Sequence, residues 1–171
     1  MKNKGIKKLC LACIFIALII VLSAYCQVPL GTSIRLDVGY AVVVIAAMHL
    51  GAGYGCAIAF LARVLNDFIF SGSVSFWWAI GSAFFGLAIG LVYALAKKAE
   101  SAKVRAAIMS AAIIVISFIS FAGIVPVVAT CVGLNYSFML GIGILASVAD
   151  AIVALVLGYP LHELFKKMKA I

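Results

Sequence analysis

Apolar residues in this chain come in long unbroken runs, separated by short clusters of Gly, Pro and polar residues. The runs lie near residues 7–25, 37–50, 54–71, 76–97, 104–129 and 137–165. They do not show the apolar–polar alternation of barrel strands, and inside lipid a segment must satisfy its own backbone hydrogen bonds, so each run predicts a helix. A hydrocarbon core about 30 Å thick takes roughly 20 residues per crossing. The second and third runs are short for that. They divide at Gly51-Ala52-Gly53-Tyr54-Gly55, and each reads as a tilted helix or as half of a re-entrant pair. Either arrangement returns the chain to the same side. The expectation is an all-α integral membrane protein with six transmembrane helices, residues 1–171 forming one membrane domain.

Composition agrees: 67% of the 171 residues are apolar and 11% are charged, against roughly 45–50% and about 25% in soluble proteins. So few polar residues leave no means of covering a soluble enzyme or a secreted disulfide scaffold. The first apolar run follows a basic start, as in a secretory signal. It lacks a small-x-small cleavage site and everything after it is also hydrophobic, so it is kept as the first span.

The net charge of +8 is a matter of orientation and not of nucleic-acid binding. Lys2, Lys4, Lys7 and Lys8 precede the first run, Lys97, Lys98, Lys103 and Arg105 flank the fourth connection, and Lys166, Lys167 and Lys169 follow the last. With an even number of crossings, all of these fall on one side, and the positive-inside rule makes that side, with both termini, cytoplasmic. The loops at 26–36, 72–76 and 130–136 then face outward. Only Arg35 and Arg63 remain unexplained among the basic residues.

Five cysteines, Cys10, Cys13, Cys26, Cys56 and Cys131, are an odd number scattered through apolar segments and read as small apolar fillers. Cys10 and Cys13 have CxxC spacing, but no second pair or nearby His completes a metal set, and none is expected. No GxxxxGK[ST], HExxH or GxSxG occurs, so no catalytic residue and no cofactor is nominated. His162-Glu163 reads as an ordinary interfacial helix end.

Charge inside a membrane is costly and marks functional positions. Arg35, Asp37, Arg63, the pair Asn66-Asp67, and Asp150 qualify. Gly55, Ala59, Arg63, Asp67 and Phe70 recur at helical spacing, as do Gly143, Ala146, Asp150, Ala154 and Gly158, which predicts inward stripes with room for close helix approach. Arg63 and Asp150 fall at similar depth. They either form a structural ion pair or line a polar cavity open to the outside. Tyr40, Trp77, Trp78, Asn135 and Tyr136 cluster on the same outer side, either as an interfacial aromatic belt or as walls around a small polar aromatic ligand.

Ile34-Arg35-Leu36-Asp37-Val38-Gly39-Tyr40, Ala46-Ala47, Gly51-x-x-Tyr54-Gly55, Asn66-Asp67-Phe68, Ser71-Gly72 and Gly86-Leu87-Ala88-Ile89-Gly90 follow in an order that resembles the S components of energy-coupling factor (ECF) vitamin transporters. The resemblance covers nearly the whole chain. It implies a multi-pass protein of the bacterial plasma membrane that captures a water-soluble vitamin or related micronutrient from outside and releases it inward. It also implies a transmembrane coupling subunit and two ATPase subunits as partners. The family's first helix carries an Ala-x-x-x-Ala partner surface, matched here by Cys13 and Ala17. The family often has Pro after the glycine at 51 and an acidic or amide residue near 63, where this chain has Ala52 and Arg63. Arg63 suggests an anionic or carbonyl-rich ligand unless Asp150 neutralises it. The expected substrate-binding set is Arg35, Asp37, Tyr40, Arg63, Asn66, Asp67, Trp77, Trp78, Asn135, Tyr136 and Asp150, with the 26–36 loop as a lid. Two other readings remain open: an assembly subunit without a small ligand, and an independent proton-coupled secondary transporter. Riboflavin, a thiamine precursor, pyridoxine, folate and pantothenate all remain possible substrates.

Overall fold

The computed structural model describes residues 3–29, 35–99 and 101–167. Helix α1 (Asn3–Tyr25) leads into strands β1 (Gln27–Pro29) and β2 (Arg35–Asp37), and then into α2 (Gly39–Leu50), α3 (Ala52–Ser71) and α4 (Phe76–Ala96). Two long bent rods complete the bundle. The first runs through α5 (Ala102–Ser117), a π-helical turn (Phe118–Ile124) and α6 (Val125–Cys131), and the second through α7 (Tyr136–Val153), a π-helical turn (Ala154–Gly158) and α8 (Tyr159–Lys167). Five of these helical units are long and apolar enough to cross a membrane.

Three expectations need correction. The chain is not wholly helical, because β1 and β2 pair antiparallel, with Gln27 opposite Asp37 and Pro29 opposite Arg35. The paired backbones satisfy each other at the mouth of the bundle, where helix is broken by Pro29. The third run is not short: α3 has 20 residues, starting at Ala52. Only α2 is short, with 12 residues, or about 18 Å at 1.5 Å per residue, too little to cross alone. The cysteines are not core fillers either, since Cys10, Cys13, Cys26 and Cys131 are exposed and Cys56 is half-buried.

Eleven residues of α2 are buried, from Gly39 to Met48 together with Leu50. Its run Val42-Val43-Val44-Ile45 has poor helix propensity in water, but packing from α1, α3, α4, α7, α8 and the second π-turn encloses it. Gly51, at φ +100°, breaks the helix and turns the chain into α3. A left-handed backbone of this kind costs glycine least.

Both π-turns have a cause in the sequence. Each sits immediately before a proline, Pro126 or Pro160, whose ring clashes with the carbonyl four residues back and cannot return its hydrogen bond. Widening the preceding turn accommodates both defects and bends the rod.

Helices α3 and α4 meet backbone to backbone. A Cβ on Gly55 would sit 2.7 Å from both the Ala47 Cβ and the Gly86 carbonyl oxygen, and one on Gly90 would sit 2.6 Å from the Ala52 nitrogen. No side chain fits at these crossings. Gly141, by contrast, has nothing within 4 Å of where its Cβ would be. Gly55→Ala should therefore destabilise the protein by about 1–3 kcal/mol through overpacking. Gly141→Ala should be neutral or stabilising by up to about 1 kcal/mol through helix propensity. Thermal unfolding of the two purified variants in detergent, followed by circular dichroism, checks the contrast.

Candidate functional site

Basic residues gather at one end of the bundle. There Arg105 meets Glu163 at 3.6 Å, the Lys97 ammonium lies 4.6 Å from the centre of the Tyr93 ring, and the Tyr93 hydroxyl and His162 Nε2 share a hydrogen bond of 2.8 Å. At the opposite end the helices part around a cavity of about 490 Å³, within the roughly 300–1,000 Å³ typical of small-molecule sites.

Five helices and the ribbon supply its walls. Ser23 and Ala24 come from the end of α1, and Asp37 and Tyr40 from the junction of β2 with α2. The second half of α3 contributes Arg63, Asn66, Asp67, Phe70 and Ser71, all within two turns because residues three and four apart share a helix face. Trp77 and Trp78 follow from the first turn of α4, and Met139, Ile142, Ala146 and Asp150 from α7. Eight of the expected binding residues thus surround one space: Asp37, Tyr40, Arg63, Asn66, Asp67, Trp77, Trp78 and Asp150.

Three others do not join them as described. Asn135 is exposed at the start of α7, where its side-chain oxygen accepts from the Phe138 amide at 3.2 Å. It is a helix cap. Tyr136, beside it, is 46% exposed and lies outside the cavity lining. Their sequence position at the outer end suggested a site role, but these two are exposed, and the residues of α7 that line the cavity are Met139, Ile142, Ala146 and Asp150. Arg35 opens β2, its side chain is outside the described residues, and so is the 30–34 segment of the expected lid.

Polar groups at the site are held by specific partners. Asp37 Oδ1 accepts from the Ser23 hydroxyl at 2.7 Å and from the Gly39 amide at 2.8 Å, tying α1 to the start of α2. Ser82 Oγ donates its one hydrogen to the Trp78 carbonyl at 2.9 Å, so the Tyr40 hydroxyl, 2.8 Å away, donates to Ser82. Below them Tyr40 packs edge-on against Phe85 and Phe121, with centroids 5.7 and 5.2 Å apart, and Phe121 lies 6.1 Å from Trp78.

Of the two arrangements open for Arg63 and Asp150, the ion pair does not form. Arg63 instead meets Asp67 one turn along its own helix, Nε to Oδ1 at 3.2 Å, because i,i+4 neighbours on one helix reach each other at no cost in chain entropy. The contact is an ion pair only, since the Nε–H is not aligned for a hydrogen bond. The other oxygen of Asp67 accepts from the Ser75 amide at 3.1 Å and so pins the α3–α4 turn. Arg63 also lies 5.9 Å from the Trp78 ring centre. Asp150, 4% exposed, faces the cavity and has no hydrogen-bond or ion-pair partner among the described residues.

Ser23, Ser82, Phe121 and Met139 were missed from the sequence. Serines and apolar residues are common throughout the runs, and nothing local distinguishes those that meet the site.

An open cavity with aromatic walls and buried polar groups, set in a bundle of membrane-length helices, defines a small-molecule-binding membrane protein. Residues 3–167 match the family described as ECF-type riboflavin transporter, S component, and the chain belongs to that family. It is a family of transporter subunits and not of enzymes. Among curated proteins, a UPF0397 protein of Phytoplasma australiense is 29% identical over 90 residues, covering 53% of this chain and 47% of that protein. A UPF0397 protein of Streptococcus thermophilus is 30% identical over 91 residues, covering 53% and 50%. In these matches the chain spans about half the length of the curated relatives.

The Ser23–Asp37 link yields a stability test. Ser23→Ala should cost about 1 kcal/mol and Asp37→Ala about 1–3 kcal/mol. The double variant should lose less than the sum by roughly 1 kcal/mol, as measured in a thermal-unfolding double-mutant cycle.

Proposed function

We propose that this protein is the substrate-binding membrane subunit of an ECF-type transporter, capturing a water-soluble vitamin or related micronutrient at the cavity and releasing it inward when separate ATPase and transmembrane subunits supply the energy. The observation that carries the reading is the cavity of about 490 Å³ in a chain of this family. In it, Trp77 and Trp78 offer stacking surface and Asn66 and Asp150 offer polar atoms. Stacking supplies affinity for a flat ring, and fixed donors and acceptors supply orientation.

The chain makes six helical passages, with α2 buried among the others, and both termini are cytoplasmic. The basic end of the bundle supports that orientation through the positive-inside rule, and the cavity then opens outward. The outer face of α1 carries Cys13 and Ala17, both exposed, and this small-residue surface is the docking face for the transmembrane partner. The chain has no ATP-binding motif of its own, which fits the need for ATPase partners.

Quenching of Trp77/Trp78 fluorescence by riboflavin, thiamine, pyridoxine, folate and pantothenate tests capture. One compound should bind saturably, and Asn66→Ala and Trp78→Leu should each weaken it roughly tenfold by calorimetry, with helical content unchanged. No binding to folded protein would leave the assembly-subunit reading.

Orientation has a separate test. In whole cells, a membrane-impermeant maleimide should label a variant retaining only Cys131, while a cysteine-free variant carrying Ser101→Cys should react only after lysis. The reverse pattern would overturn the topology.

A further inference from the structure

Among the described residues that line the cavity charge is unbalanced, and the imbalance rests on one residue. Asp37 is satisfied by Ser23 and the Gly39 amide, and Asp67 by Arg63 and the Ser75 amide. Asp150 lines the same cavity, 96% buried, with no partner among the described residues. Arg63 is already committed to Asp67 on its own helix and lies beside Trp78. A buried carboxylate left without a partner is costly, and one set in the wall of an open cavity recovers that cost from what enters it.

We infer, building on the binding role proposed above, that the ligand is a flat aromatic compound bearing a cationic or N–H-rich nitrogen, and that Asp150 selects it. The surroundings suit such a group. Trp77 and Trp78 line the cavity with indole rings, the aromatic group that attracts cations best, and the Asn66 side chain, buried at 9% exposure on the same lining, adds an acceptor and two donors. Among the described residues an anionic ligand would meet three carboxylates against one guanidinium, whose Nε lies 3.2 Å from Asp67. The charge expected from Arg63 alone is therefore reversed: the open position in the cavity accepts a cation or a donor.

Calorimetric titration of the purified full chain in detergent tests this with four probes. Thiamine is a permanent cation with an aromatic amine, and its aminopyrimidine precursor is rich in N–H donors. Riboflavin is neutral, and pantothenate is an anion. Thiamine or the aminopyrimidine should bind tightest, and Asp150→Asn should weaken that binding roughly tenfold or more while circular dichroism stays unchanged. Tightest binding of riboflavin or pantothenate by the wild-type protein would overturn the inference and leave the capture role standing. So would an Asp150→Asn effect under about twofold. Should Asp150→Asn fail to fold, the wild-type ranking of the four probes decides alone. Binding of none of them to folded protein would overturn the inference, and the capture role would then be decided by pyridoxine and folate.

Discussion

Contact between the backbones of α3 and α4 holds the rest of the structure in place. Gly55 against Gly86 and Ala52 against Gly90 leave no space for a side chain, so the two helices lie close along the half of the bundle nearest the basic end. Their other halves carry Arg63, Asn66, Asp67, Trp77 and Trp78. Because the helices are clamped below and joined above by a turn that Asp67 caps through the Ser75 amide, these five residues face one space. In a lipid environment the hydrophobic effect adds little between helices, and close packing of this kind becomes the main attraction.

Buried polarity is distributed with the same economy. Each described polar group that ties helices together has a near neighbour to do it with: Ser23 with Asp37, Tyr40 with Ser82, Tyr93 with His162. These bonds join α1 to α2, α2 to α4 and α4 to α8, so the polar atoms cross-brace the bundle at both ends. Asp150 is different from the other two buried aspartates: it lines the cavity with no partner among the described residues, which is the basis of the ligand role inferred for it.

The two π-turns matter to the shape of the site. The turn before Pro126 carries Phe121 into the aromatic floor against Tyr40, Phe85 and Trp78. The turn before Pro160 lies against α2, where Gly158 approaches the Ala41 carbonyl. Each wide turn is a local answer to a missing backbone donor, and each is used to press a bent rod onto the short buried helix.

Much of this was legible in the residues alone. Long apolar runs must be helices in lipid, so the helical units emerged at nearly their observed bounds, and the lysine clusters marked one end. Charges inside apolar runs are too costly to be incidental, so Arg63, Asn66, Asp67 and Asp150 stood out before any packing was known. What the sequence could not decide were the partners. Arg63 and Asp150 share a depth, but depth does not fix azimuth: Arg63 meets Asp67 on its own helix, and only the packed rotation of α3 and α7 decides that Asp150 stays apart from it on the cavity wall. Asn135 and Tyr136 lie at the right end of the right helix and still miss the site, because Asn135 is spent on capping the helix and Tyr136 is exposed, while Met139 in the same turn faces the cavity. Serines such as Ser23 and Ser82 carry no local signal at all. The sequence by itself determined which segments cross lipid and which residues are too polar to be idle there. Only the tertiary structure decided which of them meet, because contact across a bundle depends on helix rotation and close approach, and these are set by the sum of all the packing at once.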